Sequence, residues 1–411
     1  MKILITNNTL SHRAGTELYV RDVALALQKR GHSPFVYSST LGEIADEIRE
    51  AAIPVVHDLK SLSIVPDIIH GQHHLETMTA LLHFPKVPAV YFCHGWKPWQ
   101  EAPPKFSRIF KYVAIDEAVH DRLVFEHGIL ENRINIVLNF VDLRKFKPRE
   151  PLPQHPKRAL FFSNYASENN VVPIVRKACS SAGIRLDVVG KSMNTPSLTP
   201  ETLLGRYDLV FARGRSAIEA IAVGAAVILL DTRKTGPMVT CDNLDRLRLL
   251  NFGIRTRQDA VNAESLRREI DRYDPKDAAL VCHRIRQIAC LEGAVDQIVN
   301  IYHEVLEEHK KALPLNLENE LKEAASYLHS LSPRVKETED LTARLQIMQK
   351  SSSMRSLLKN TLKKVFIRFC DGKHDYSFVH HLRFCYCYFV CNRHAHEDKM
   401  NLLYRNRKVF S

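Results

Sequence analysis

Short apolar runs alternate with amphipathic segments along the first 150 residues. Residues 2–7, KILITN, are typical of a strand buried on both faces. Thr16–Arg30 follows, with apolar residues at the spacing of one helix face. Four more short strands are predicted at Pro34–Ser38, Pro54–His57, Asp67–Gly71 and Ala89–His94. Because helix-like segments separate them, the pattern predicts an α/β fold with a doubly wound sheet.

A second series of the same kind begins at residue 158. Its predicted elements are a strand at Arg158–Ser163, a helix at Val171–Ala182 and a strand at Leu186–Val189. Tyr207–Asp231 then shows an apolar run, a break at Gly214-Arg215-Ser216, a helix-compatible run, Gly224, and another apolar run. That order predicts strand, tight turn, helix and strand.

These two series predict two Rossmann-like domains, residues 1–147 and 158–310. Between them, residues 148–157 contain four prolines, which forbid regular structure and indicate a stiff linker. Two amphipathic helices, Ala278–Leu291 and Val295–Glu308, end the second domain. A helical extension is predicted at 311–350, where leucines recur at spacings of four and three and resume after Pro333, a coiled-coil-like pattern for a docking helix or a dimer contact.

Charge separates the last part of the chain from the rest. Of the net charge of +12, residues 351–411 carry +8, so no basic face for nucleic acid is indicated in the body. Within this basic aromatic tail, Arg355–Phe369 has the pattern of an amphipathic helix, either bound to an anionic membrane surface or packed on the body. No apolar run of about 18 residues occurs, and the cysteines form no disulfide pattern. We therefore expect a cytoplasmic protein, peripheral at the inner face of the membrane if the tail binds there.

The break at residues 214–216 has chemical consequences. A helix that begins just after a strand presents unpaired backbone N–H groups and the positive end of its dipole. Gly214, Arg215 and Ser216 would therefore suit an anion such as a diphosphate, and Glu219, about one turn further on, could accept hydrogen bonds from two sugar hydroxyls. The alternative is a helix that only packs on the sheet.

Three stretches resemble the glycosyltransferases of family 4. Gly15-Thr16-Glu17 and Gly31-His32 match the family's opening motif, and Gly214, Glu219-Ala220 and Gly224 match its donor motif. Tyr112–Pro148 resembles the end of the family's first domain. This resemblance covers residues 1–310 and implies the GT-B fold, in which two Rossmann-like domains face each other. A NAD-dependent dehydrogenase is disfavoured, because only Gly15 of the three fingerprint glycines is present.

The resemblance implies transfer of a sugar, of the hexosyltransferase type, from a UDP- or GDP-sugar to a glycan or lipid-linked acceptor, as in the synthesis of cell-envelope polysaccharide. It also implies retention of anomeric configuration, with neither metal nor cofactor. His94 would lie by the reacting sugar, and Glu219 would hold the ribose. The donor site would also include Gly15, Thr16, Asn164, Arg213, Gly214, Arg215 and Ser216.

The sequence also departs from the family. Phe211 stands where the first donor glutamate is usual, and Asn164 with Asn169 or Asn170 stands where an arginine and a lysine usually bind the diphosphate. Arg213, Arg215 and Lys191 are candidate replacements. Two alternatives stay open: a nucleotide-sugar epimerase of the same fold, and a non-catalytic nucleotide- or sugar-binding protein. His70, His73, His74 and Glu76 lie close in sequence, but their spacing matches no familiar metal site.

Overall fold

The computed structural model describes residues 1–96, 98–314 and 316–350, with only the backbone for 347–350. These residues form two compact units. The first comprises 1–96 and 107–314 and contains both predicted series of strands. The second comprises 98–106 and 316–350. The predicted amphipathic helix at Arg355–Phe369 and the whole basic tail lie outside the described residues.

The first series forms one parallel sheet of seven strands in the order β3-β2-β1-β4-β5-β6-β7. Its strands are β1 (Lys2–Thr6), β2 (Ser33–Tyr37), β3 (Val55–Val56), β4 (Ile68–Gln72), β5 (Ala89–Cys93), β6 (Ile109–Ala114) and β7 (Ile134–Ile136). Its helices are α1 (Gly15–Lys29), α2 (Glu43–Glu50), α3 (His74–His83) and α4 (Glu117–Asp121). The strand order reverses between β1 and β4, and ligands bind at such a point in open α/β sheets.

The second series forms a six-stranded sheet in the order β13-β12-β11-β10-β8-β9. Its strands are β8 (Arg158–Phe162), β9 (Arg185–Val189), β10 (Leu209–Ala212), β11 (Ala226–Leu230), β12 (Lys234–Met238) and β13 (Asp259–Ala260). The helices are α5 (Val172–Ser181), α6 (Pro200–Leu203), α7 (Gly214–Ala222), α8 (Leu244–Leu249), α9 (Ala263–Ile270), α10 (Pro275–Ile288) and α11 (Leu291–Ala312). The strands β8 to β11 are parallel, whereas β12 and β13 are antiparallel to their neighbours.

Strand β10 is buried on both faces, which explains its uninterrupted apolar sequence. Val210 and Ala212 pack with α7 on one face, while Leu209 and Phe211 pack with α5 and α9 on the other. Phe211 is fully buried. The position of the missing family glutamate is therefore filled by a core side chain.

Helix α11 returns from the second sheet to the first. Val295, Ile298 and Val305 lie in the hydrophobic core that covers the first sheet, and the Tyr302 hydroxyl hydrogen-bonds to His70 on β4. Residues 148–157, the predicted linker, contain neither helix nor strand.

In the second unit, α12 (Leu317–Lys350) is one helix that continues through Pro333. Arg334 of this helix lies over the Trp99 ring, 5.7 Å from its centroid. Leu317, Leu321 and Leu328, which belong to the leucine pattern, are exposed. Over the ranges that the structure describes, no helix combines the length and apolar character that a membrane span requires.

Candidate functional site

The turn between β10 and α7 is tighter than the sequence pattern predicted. Arg213 alone separates the strand from the helix, and α7 begins at Gly214, so Gly214, Arg215 and Ser216 form its first turn. Gly214 has φ +53°, a left-handed conformation that glycine adopts without strain. A Cβ atom added there would meet nothing within 4 Å. Open space therefore lies above the start of α7.

The N-terminus of α7 keeps its capacity for an anion. Arg213, in the N-cap position, makes no side-chain cap hydrogen bond. The Gly214 N–H donates to the Phe252 carbonyl, at 3.0 Å, which holds the segment after α8 beside this turn. Because no side chain caps the helix, the first-turn N–H groups after that of Gly214 and the helix dipole are directed at the space above.

Arg215 and Glu219 face each other one turn apart on α7. The Arg215 Nε donates to the Glu219 Oε1 at 2.8 Å, and the same guanidinium binds the Asp22 carboxylate of α1. Asp22 in turn accepts from Arg21 at 2.8 Å. The exposed fractions of the Asp22, Glu219 and Arg215 side chains are 3%, 8% and 17%. Arg215, the cation predicted to bind the diphosphate, is thus held by two protein carboxylates. One of them is Glu219, the residue predicted to bind the ribose.

The pKa values of these carboxyls differ in direction. Burial alone would raise the pKa of Asp22, but the charges of Arg215 and Arg21 outweigh that effect and hold it below its usual value. Burial raises the pKa of Glu219 by more than Arg215 lowers it, and the negative charge of Asp22 adds to the rise.

Arg213 and Lys191 are the other candidate cations. The Arg213 side chain is 39% exposed, lies 5.8 Å from the centroid of the Tyr165 ring and is 3.9 Å from Asp231. Asp231 is also bound by the buried Arg257 at 3.0 Å. Lys191 is exposed, and its charge lowers the pKa of Glu17 against the larger effect of burial.

Asn164 and Asn170, which stand where the resembled family usually has an arginine and a lysine, hydrogen-bond to the backbone of nearby loops. Asn164 accepts a hydrogen bond from the Lys191 N–H at 3.2 Å through its side chain, and from the Ser192 hydroxyl at 2.8 Å through its carbonyl. Asn170 accepts from the N–H groups of Ser167 and Val171. Asn164 is exposed and so remains able to reach a ligand, whereas Asn170 holds the backbone of its own loop.

The first sheet contributes the remaining predicted residues. Gly15 and Thr16 begin α1, and the Thr16 hydroxyl donates to Glu17 at 3.0 Å. His94 directly follows β5, and its ring meets the Tyr19 ring edge to face at 4.4 Å. Burial raises the pKa of Tyr19, and the positive charge of Arg215 opposes that rise. The structure thus brings α1, α7 and His94 together around Tyr19.

The neighbouring histidines are held by other contacts. His70 lies in the core, stacked on Phe92 at 3.7 Å and hydrogen-bonded to Tyr302 and Gln72. The His73 ring accepts from the Asn8 N–H at 3.3 Å. Across the part of the chain that the structure describes, no three His, Cys, Asp or Glu side chains are grouped as metal ligands would be.

Asp22 is the site residue that sequence reasoning missed. It lies on α1 between Arg21 and Val23, and its contact with Arg215 joins residues 193 positions apart. A charged residue in an amphipathic helix normally indicates the solvent-facing side. Nothing in the local pattern distinguishes Asp22 from such a residue.

Comparison with solved structures establishes the fold. A glycosyltransferase from Rickettsia africae matches with a TM-score of 0.56 and 17% identity, over 74% of this chain and 98% of that one. Anabaena HepE, solved with UDP and glucose, matches with a TM-score of 0.53 and 15% identity, over 74% of this chain and 100% of that one. Sucrose-phosphate synthase from Thermosynechococcus elongatus matches with a TM-score of 0.52 and 12% identity, over 75% of this chain and 99% of that one. No protein-family model matches the sequence, and no curated protein does.

These identities are too low to transfer an activity, but the likeness covers almost the whole of each solved chain. The fold class predicted from the sequence, GT-B, is confirmed. Family 4 membership stays a prediction.

Proposed function

We propose that this protein is a glycosyltransferase that moves a sugar from a nucleoside diphosphate sugar to an acceptor. One observation carries the proposal: the start of α7 is open above Gly214, lacks a side-chain cap and has Glu219 one turn further along. An anion and a vicinal diol are the two features that such a turn suits, and a nucleoside diphosphate contains both. The GT-B likeness to known glycosyltransferases supports the same reading.

In the proposed reaction the bond between the sugar C1 and the diphosphate oxygen breaks, and a bond from C1 to an acceptor oxygen forms. The N–H groups of Arg215 and Ser216, in the first turn of α7, would stabilise the charge that develops on the departing diphosphate. Arg213 and Lys191 would supply positive charge at its edge, since Arg215 is held by Asp22 and Glu219. The acceptor's proton would pass to the departing phosphate.

Positions on the first sheet would bind the other reactants. Gly15 and Thr16, at the start of α1, and His94, at the end of β5, lie at the carboxyl edge of that sheet, where ligands bind in open α/β folds. We place the transferred sugar near His94. Retention of configuration, independence of metal, a glycan or lipid-linked acceptor and attachment of the tail to a membrane remain parts of this proposal that rest on the resemblance and on charge.

A non-catalytic nucleotide-binding protein is the second candidate, and a specific observation favours it. Arg215 is neutralised by protein carboxylates, and Phe211 replaces a family glutamate with a core side chain. Both features remove polar groups that an enzyme of this family would apply to its donor. Binding without turnover is the outcome that this candidate predicts.

Calorimetry with UDP, GDP and the corresponding nucleosides tests the proposed site. We expect wild type to prefer a diphosphate, and Glu219→Ala to lose about 1.5–3 kcal/mol of affinity, the usual value of a hydrogen bond to a charged group. Glu264→Ala is the matched control, because Glu264 is an exposed glutamate in the first turn of α9. Unchanged affinity in a folded Glu219→Ala protein would remove the donor site.

Turnover separates the candidates. UDP-glucose is the first donor to test, because the similar Anabaena protein was solved with UDP and glucose. Product analysis with and without acceptor would show transfer, epimerisation, or neither. A protein that binds the donor but forms no product with a panel of acceptors would favour the non-catalytic candidate.

A further inference from the structure

A largely buried network of charged side chains joins a helix of the first sheet to a helix of the second. Asp22 and Arg21 lie on α1, while Arg215 and Glu219 lie on α7. Arg21 is also bound by the Glu47 carboxylate of α2 at 2.8 Å, and Lys145, whose side chain is 42% exposed, is 4.0 Å from Asp22. Buried ion pairs contribute little net stability, because loss of solvation offsets their attraction. Such networks fix geometry, and here the geometry fixed is that of Arg215.

Arg215 is divided between Glu219 on its own helix and Asp22 on the other sheet's helix. A guanidinium that had Glu219 as its only partner would turn its full charge and more of its N–H groups toward that carboxylate. Glu219 would then have fewer lone pairs to accept from ligand hydroxyls. Asp22 therefore withdraws Arg215 from Glu219 and leaves part of the Glu219 carboxylate available.

We propose that Asp22 is a positioning residue for the ribose-binding carboxylate of the donor site, acting through Arg215. The inference rests on the proposed function, in which Glu219 accepts from the ribose. It assigns to the first sheet a part in recognising the nucleotide, which the GT-B arrangement alone would leave to the second. The ribose contact would then be complete only when α1 lies against α7.

The test measures preference for ribose and not affinity alone. Affinities for UDP and for its 2′-deoxy and 3′-deoxy analogues are compared by calorimetry in wild type, Asp22→Asn and Asp22→Glu. We expect the ratio of ribose to deoxyribose affinity to fall about fivefold in Asp22→Asn, the value of one hydrogen bond, and to recover in part in Asp22→Glu. General loosening of the fold would weaken all three ligands alike and leave the ratio unchanged.

Asp296→Asn is the matched control. Asp296 on α11 pairs with Arg30, the residue that follows α1, at 2.9 Å, and it is 65% exposed. This change breaks another ion pair at α1 without touching Arg215, so the ribose preference should stay at the wild-type value.

Arg215→Lys provides a second variant in case Asp22→Asn does not fold. Lysine keeps the charge but cannot bridge both carboxylates with a planar fork, so the preference should fall here too. If wild type binds no nucleoside diphosphate, the donor site is wrong and the inference falls with it. If wild type prefers ribose and either folded variant, Asp22→Asn or Arg215→Lys, keeps the full preference, only the role of Asp22 is overturned.

Discussion

Asp22 and Asp116 both belong to helices of the first sheet and lie near arginines of the second series. Their environments shift the pKa of the two carboxyls in opposite directions. Asp22 is bound by Arg215 and Arg21, which hold its pKa below the usual value despite burial. Asp116 caps α4 by accepting from the Val119 N–H at 2.7 Å, and burial raises its pKa to about 6. Gly253 lies beside it, since an added Cβ would be 3.4 Å from the Asp116 Oδ2.

The pKa values of Asp22 and Asp116 differ because Arg215 binds Asp22 directly, whereas Arg255 binds another carboxylate. Arg255 lies close enough to Asp116 to lower its pKa slightly, but its guanidinium binds Asp121 at 2.5 Å and lies 5.2 Å from the centroid of the Trp96 ring. Arg215 has no such competing contact with an exposed group. Burial raises the pKa of both aspartates, and direct contacts with guanidiniums reverse that effect only at Asp22.

The largest effect is expected from removing the compensating cation. Arg215→Ala would leave Glu219 buried without its partner and Asp22 with only Arg21 and the more distant Lys145, which we expect to cost about 3 kcal/mol of unfolding free energy. Arg255→Ala is the matched change at the other contact, where the paired side chains are 39% and 34% exposed. It should cost about 1 kcal/mol or less. Urea unfolding of both variants measures the gap, and equal losses would contradict the comparison.

Removing the charge of Asp116 should have a smaller effect with the opposite sign. A carboxyl whose pKa is raised from 3.8 to about 6 binds its proton more strongly in the folded protein, so wild-type stability falls as pH rises through that range. Asp116→Asn keeps the cap but cannot ionise. We expect the variant to be more stable than wild type by about 2 kcal/mol at pH 7, with no difference in stability below about pH 4.

Thermal or urea unfolding between pH 4 and pH 7 checks this prediction. Asp121→Asn serves as the control, because Arg255 lowers the pKa of Asp121 and its contribution is therefore present above pH 4 and lost below. That variant should lose a little stability at neutral pH. A stability difference between Asp116→Asn and wild type that did not change with pH would show that Asp116 is not destabilised by burial.

The smallest effect is expected from replacing Arg213, because its contact with a protein carboxylate is the longest of the three arginines compared. Its carboxylate, Asp231, is 3.9 Å away and is held more closely by Arg257, so Arg213 retains charge for a ligand. Arg213→Ala should weaken UDP by about 1 kcal/mol and leave uridine unchanged, because only UDP carries the diphosphate. Arg185→Ala, which removes a 79% exposed arginine, is the control. Equal effects on UDP and uridine would mean that Arg213 is only a surface charge.

Local patterns were enough to predict most of the elements. Apolar runs such as residues 2–7 predicted strands covered on both faces, and periodicity identified α1. A run of helix-compatible residues before Gly224 identified α7. Such patterns suffice because backbone hydrogen bonding and burial act over a few neighbouring residues. The start of α7 was placed three residues too late, since Gly214-Arg215-Ser216 was interpreted as a turn. A glycine at φ +53° can begin a helix directly after a strand, and the letters alone do not give that angle.

By itself, then, the sequence determined two series of strands and helices, the GT-B fold that they build, and a helix N-terminus with Glu219 behind it. Only the tertiary structure decided what those groups contact. One of the two partners of Arg215, Asp22, lies 193 residues away, and whether Asp22 or a ligand holds that guanidinium depends on how α1 packs near α7. Charge pairing between distant helices leaves no periodic signal in either helix, because each position keeps the same local pattern whichever partner it meets.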